Sequence, residues 1–228
     1  MFGGVPVDDR IVEAYIGEYA SGKSEVAVNR AIHLKMTGRK VTIVDLDLVE
    51  PFYTLRPIKK KLIEMGIDAV AWETKETMGL GEAGSVIKPE MRWVLRRTGD
   101  VILDIGYGVE GAKVLNLIEG ADTEENLRIY VVLNVGRPMT ASVNDIVEYA
   151  RGLGHVDGVI NNSHLGDDTT VAFVEEGAKV VTEAARQLKL PVIATYMDKK
   201  FKPAMSGEVD KMGNPLCFLE RHMVNTFW

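Results

Sequence analysis

Gly17-Glu18-Tyr19-Ala20-Ser21-Gly22-Lys23-Ser24 decides the fold. It has the form G-x-x-x-x-G-K-[ST], a loop whose backbone N–H groups cradle phosphate oxygens between a strand and a helix. Upstream, Ile11–Ile16 is an apolar run of strand length. Downstream, 23–37 carries Val26, Ile32 and Leu34 at helical spacing and is stopped by Gly38. Gly17 and Gly22 let the chain turn tightly enough for its amides to reach a ligand. Lys23 is expected to contact the β- and γ-phosphates and so to act in catalysis. Ser24 is expected to give its hydroxyl to Mg²⁺, a hard cation that keeps several waters and takes few protein ligands. Ala20, Ser21 and Glu25 complete the set of loop and helix residues expected to line a nucleotide.

Beyond this loop, apolar runs alternate with helical stretches, the pattern of a doubly wound α/β domain with helices on both faces of a mostly parallel sheet. About seven strands are expected, near 11–16, 41–45, 69–72, 101–104, 129–134, 158–161 and 192–195. Helices are expected over 142–151 and 171–188 as well as 23–37. The stretch 73–89, rich in Gly and charge, reads as a mobile crossing or lid, and the tail 199–228 shows no clear pattern. A length of 228 residues fits one nucleotide-binding domain over the whole chain, with a core of about 10–200.

Ligands of open α/β sheets bind beyond the carboxyl ends of the strands, so acids placed there carry weight. Val41-Thr42-Ile43-Val44-Asp45-Leu46-Asp47 ends one strand with paired acids, and Val101-Ile102-Leu103-Asp104 ends another in the Walker B form. Asp104 is expected to hold Mg²⁺, with Gly106 and Gly108 leaving room for the γ-phosphate. Asp45 and Asp47, two residues apart, would share one face of a continuing strand, Asp45 addressing the metal and Asp47 activating a water. The alternative for each aspartate is a turn or helix-cap residue.

Composition excludes other classes. The net charge of −6 argues against a broad nucleic-acid surface. Lys59-Lys60-Lys61 reads as the solvated face of a helix. No apolar run is long enough to span a membrane, and Met1–Pro6 lacks a secretory pattern, so a cytoplasmic location is expected. Cys217 has no internal partner, and His33, His155, His164 and His222 lack ligand spacing, so no zinc or iron–sulfur site is expected.

The phosphate loop, the Asp-x-Asp strand, the Walker B strand and Gly158-Val159-Ile160-Asn161-Asn162-Ser163-His164-Leu165 together resemble the SIMIBI class of P-loop NTPases over about 11–200. More narrowly, they are similar to the nucleotide-binding domain of cobyrinic acid amidases, septum-positioning ATPases and plasmid-partitioning ATPases. The resemblance implies that an asparagine at the end of the late strand, here Asn161 or Asn162, reads the adenine edge. An amide suits this because it offers a donor and an acceptor together. It also implies that Thr195-Tyr196-Met197-Asp198 forms a loop covering the base, with Tyr196 against the nucleotide. An Asn-Lys-x-Asp motif for guanine is missing from the sequence, which favours ATP.

In this family an extra lysine after the first loop glycine reaches across an ATP-bound homodimer. This chain carries Glu18 there, so a homodimer does not follow from the resemblance. Arg56 and Arg137 are candidates for compensating charge, with surface ion pairing as their alternative use.

The expected function is a Mg²⁺-dependent ATPase switch in which nucleotide orders the 47–56 loop and a protein partner reads it, with Phe52 and Tyr53 as contacts. Two alternatives stand: a small-molecule kinase or ATP-dependent synthetase, and a nucleotide-binding regulatory module that does not hydrolyse.

Overall fold

Successive residues of a strand face opposite sides of a sheet, and here alternate residues enter two separate cores. Ala14 and Ile16 pack on one side while Tyr15 packs on the other; Val131 and Leu133 are likewise opposed to Val132, and Leu103 to Ile102. Both faces are therefore apolar, as a parallel sheet buried between helices requires. The computed structural model describes residues 10–48, 55–72 and 87–223.

In chain order the elements are β1 (Val12–Gly17), α1 (Lys23–Met36), β2 (Val41–Leu46), α2 (Lys59–Glu64), β3 (Asp68–Val70), α3 (Pro89–Arg92), β4 (Asp100–Tyr107), α4 (Gly108–Ala112), β5 (Leu127–Leu133), α5 (Val143–Leu153), β6 (Gly158–Asn161), α6 (Val171–Leu188), β7 (Val192–Asp198) and β8 (Leu216–Leu219). They form one sheet of order β3-β2-β4-β1-β5-β6-β7-β8, with every neighbouring pair parallel. Ala27, Ala31 and Leu34 of α1 and Leu62 of α2 cover one face; Ile146 of α5 and Val181 and Ala184 of α6 cover the other.

Local chemistry sets the helix ends. Ser142 and Asp145 form a reciprocal capping box that starts α5, and the Thr170 hydroxyl accepts from Phe173 N to start α6. Gly38, with φ +85°, follows the end of α1.

Two expectations are corrected. Among the described residues the sheet has eight strands, because Leu216-Cys217-Phe218-Leu219 in the supposedly patternless tail pairs with β7 through Thr195↔Leu216 to Asp198↔Leu219. Four apolar residues without alternation give no periodicity to read. Residues 195–198, expected as a loop, are the last part of β7. The Lys59–Lys61 run does lie on a helix, α2, where Lys60 is exposed and pairs with Glu64. Phe52 and Tyr53, and the body of the 73–89 stretch, lie outside the described residues. No helix among the described residues is long and apolar enough to cross a membrane.

Candidate nucleotide site

The strand order reverses between β1 and its neighbours β4 and β5, and the loop leaving β1 opens into the resulting crevice. After Gly17 the chain turns with Ser21 N donating to Glu18 O at 3.1 Å. Ala20 and Gly22 take left-handed conformations, φ 56° and 80°. For Ala20 that conformation costs about 1–2 kcal/mol, strain of the kind found at ligand clamps. A Cβ at Gly22 would lie 2.3 Å from Asn162 Nδ2, so only glycine fits. α1 then begins, its first bond running from Val26 N to Gly22 O at 3.0 Å.

Beneath the loop sits a compact set of charges. Asp45 and Asp104 are register partners on β2 and β4, which places two carboxylates side by side on the same face. Asp45 is fully buried; its Oδ2 accepts from Arg56 Nε at 2.9 Å and its Oδ1 from Asp47 N at 3.1 Å. Lys23 Nζ donates to Asp47 Oδ2 at 2.7 Å. Burial alone would lower the Lys23 pKa, but Asp47, Asp104 and Asp45 together raise it, so the ammonium form is held.

Asp104 is the exception. It is 0 % exposed, and among the described residues neither of its oxygens has a hydrogen-bond partner. Burial pushes its carboxyl up to about 7; Lys23 and the Ser24 hydroxyl oppose this, while Asp45 and Asp47 add to it. The folded chain therefore holds this proton more tightly than the unfolded chain does, and nucleotide-free stability falls as pH rises from 3.8 through about 7. Asp104→Asn is expected to stabilise the nucleotide-free protein at pH 8 by on the order of 1–2 kcal/mol and to change little at pH 4. Urea midpoints at the two pH values measure this; an equal shift at both would contradict it.

No protein-family model matches the chain, and no curated protein sequence matches it significantly. Solved structures do. The cell division protein FtsY of Thermotoga maritima aligns with a TM-score of 0.53 at 17% identity, over 82% of this chain and 62% of that one. Chloroplast FtsY of Physcomitrella patens gives 0.52 at 17% identity, over 85% and 59%. The signal recognition particle receptor FtsY of Elizabethkingia anophelis, solved with GDP, gives 0.52 at 16% identity, over 84% and 58%. At this identity the likeness is one of fold, a parallel α/β sheet covered by helices. The chain spans about three fifths of the length of these structures.

One pocket gathers Ala20, Ser21, Gly22, Lys23, Ser24, Glu25, Asp47, Asn162 and Tyr196 from the sequence-based set. Gly17 supports the loop from beneath: a Cβ there would lie 2.5 Å from Ser21 Oγ and 2.6 Å from Val132 O. Ser21 Oγ is itself buried with no hydrogen-bond partner among the described residues.

Several side chains expected at the site already have protein partners. Asp45, expected to address the metal, accepts from Arg56 Nε and the Asp47 amide. Arg56 is correspondingly buried and not a surface residue. Asn161, expected to read a base, is turned into the protein: its Nδ2 donates to Val174 O and Thr195 Oγ1 while its Oδ1 accepts from Ser163 N and Oγ. Asn162 does reach the pocket, where its Nδ2 donates to Ser21 O at 2.8 Å and braces the P-loop. The Glu25 carboxylate turns from the phosphate end to accept from His222 N and Met223 N.

Glu18 turns toward the segment that precedes α5. Its carboxylate accepts from Met139 N at 3.3 Å and Thr140 Oγ1 at 3.2 Å, and Arg137 Nε donates to Ala20 O at 3.1 Å. The P-loop tip is thus fastened to the turn between β5 and α5. Burial raises the Glu18 pKa, opposed by those hydrogen bonds and Arg137.

Sequence reasoning passed over His164, Tyr107 and Arg221, which also line the pocket. His164 accepts from Gly166 N through Nδ1, and burial, with Arg137 and Arg221, lowers its pKa to about 4, so it meets the loop as a neutral ring. Its position directly after Asn161-Asn162-Ser163 was the available signal.

Proposed function

We propose that this chain is a single nucleotide-binding domain that takes Mg·ATP and hydrolyses it, and that a protein partner in a reducing cytoplasm reads its nucleotide state. The observation that carries this reading is the unpartnered, fully buried Asp104 beside Lys23 and Ser24. A buried carboxylate without a partner costs several kcal/mol as an anion, and a cation resolves that cost.

The residues present fit Mg²⁺. Among the described residues no three His, Cys, Asp or Glu side chains converge as a metal-binding group, so the remaining ligands must come from phosphates and water. Ser24 and Asp104 would hold the ion, and when bound it neutralises charge on the phosphoryl oxygens. Lys23, released from Asp47, would bind the phosphates. Asp47, no longer paired with Lys23, would then orient and deprotonate a water. Transfer of one ammonium group from Asp47 to phosphate thus connects nucleotide arrival to the chain segment after β2, the segment expected to act as the switch.

ATP is favoured over GTP because no Asn-Lys-x-Asp run follows a strand of this chain. Competition calorimetry with Mg·ATP and Mg·GTP tests that choice. Single-turnover incubation with labelled ATP tests the reaction: phosphate release alone supports hydrolysis, transfer to an added metabolite supports a kinase, and intact ATP rejects both. Asp47→Asn is expected to lower turnover by about tenfold or more while Mg·ATP affinity holds or rises, since Lys23 loses a charged competitor. A fully active variant would remove Asp47 from the mechanism.

A further inference from the structure

The pocket has a second half, built by residues far from the P-loop in sequence. Leaving β8, the run 219–223 lies against the first turns of α1 and is fastened there twice. The Glu25 carboxylate accepts from Met223 N at 2.7 Å and from His222 N at 2.8 Å, both on the same oxygen. One turn further along α1, Asn29 and Glu220 exchange two bonds: Glu220 N donates to Asn29 Oδ1, and Asn29 Nδ2 donates to Glu220 O, each at 2.9 Å. A third attachment runs to the opposite wall, where the Arg221 guanidinium pairs with Asp167 in the turn that includes Gly166.

The inner side of this strap belongs to the same cavity as Lys23 and Ser24. Leu219, Arg221 and Met223 line it, together with Val174 and Met197 from α6 and β7. Beside the charged end, suited to phosphate and metal, the strap therefore adds aliphatic and thioether surface and a guanidinium, with Tyr196 and Asp198 of β7 also in the lining. An apolar wall with a single planar cation suits a planar, heteroaromatic ring, which buries its faces and meets the guanidinium by stacking or at an acceptor on its edge.

We infer that the strap 219–223 is the nucleobase wall of this pocket, and that Glu25 is the positioning residue that sets it. This deepens the nucleotide reading above and rests on it. Glu25 stands two residues after the P-loop lysine on the same helix turn, so the element that presents amides to the phosphates also fixes the wall that receives the base. The polar groups of Asn161, which the resemblance assigned to the base, are consumed inside the protein. The strap supplies recognition from a different part of the chain.

The test compares Mg·ATP with Mg·tripolyphosphate by calorimetry on the full chain. Tripolyphosphate presents the charged end alone. The wild-type protein is expected to bind ATP about tenfold or more tightly than tripolyphosphate. Arg221→Ala and Glu25→Ala are expected to shrink that ratio to within about threefold, through loss of ATP affinity and not through any change for tripolyphosphate. Glu25→Gln retains an oxygen where both amides converge and is expected to keep most of the wild-type ratio, a rescue that a purely electrostatic role for Glu25 would not give. Arg221→Ala, which removes a partly exposed side chain, serves as the reading should Glu25→Ala fail to fold. If both alanine variants keep the wild-type ratio, the strap is not the base wall. If the wild-type protein binds neither compound, the nucleotide reading falls and takes this inference with it.

Discussion

Arg56→Ala is expected to destabilise the nucleotide-free fold by about 3–5 kcal/mol, the cost of removing the cation of a buried ion pair. Arg56 and Asp45 have side chains only 3% and 0% exposed, and the guanidinium also donates to Asp47 O at 3.4 Å. Asp45 cannot turn to water for help, because it sits in register with Asp104 on the adjoining strand. Removing the guanidinium would leave two neighbouring acids with less positive charge to share, Lys23 being the nearest cation acting on Asp104. Urea denaturation measures the loss. The double variant Arg56→Ala/Asp45→Asn should recover most of it, because no uncompensated charge then stays buried; an additive double variant would show that the two residues act independently. Arg56→Lys should recover only part, since an ammonium cannot reproduce the two separate donations.

That ion pair also shows where sequence reasoning stops. The P-loop was legible because its chemistry is local: glycines, lysine and serine must be consecutive for backbone amides and a helix start to converge. α6 was legible to the residue, since 171–188 carries apolar residues at helical spacing through to Leu188. The strand-end aspartates were legible as a group, because a parallel sheet brings strand ends to one edge. Their division of labour was not. Asp45 is paired with Arg56 while Asp104 lies beside Lys23 and Ser24 with no ion-pair partner among the described residues, a difference set by a side chain from a later segment and by strand register, neither of which leaves a local pattern. Glu18 is the same case: its acceptors' partners, Met139 and Thr140, lie more than a hundred residues away, 121 and 122 in sequence. The Glu25 bond to His222 spans 197 residues. Contacts of that separation are fixed by the fold, so the roles they assign become visible only with it.

Lys23→Ala is expected to lower Mg·ATP affinity by about 100-fold or more, roughly 3 kcal/mol. Two effects of one substitution combine here. The phosphates lose their ammonium partner, and Asp47, whose side chain is 2% exposed, loses the charge that neutralises it and becomes a buried anion facing an anionic ligand. The second effect also weakens the fold, so affinity must be separated from stability. Lys23→Ala/Asp47→Ala removes both members of the pair, and its urea midpoint should return toward that of the wild-type protein. Its affinity should not, because the phosphate contact is still missing. A double variant that regained both would mean that Lys23 serves only to neutralise Asp47. Unchanged Mg·ATP affinity in the single variant would remove the phosphate-binding assignment altogether, since it would leave the loop's amides holding a triphosphate without the ammonium group assigned to share its charge.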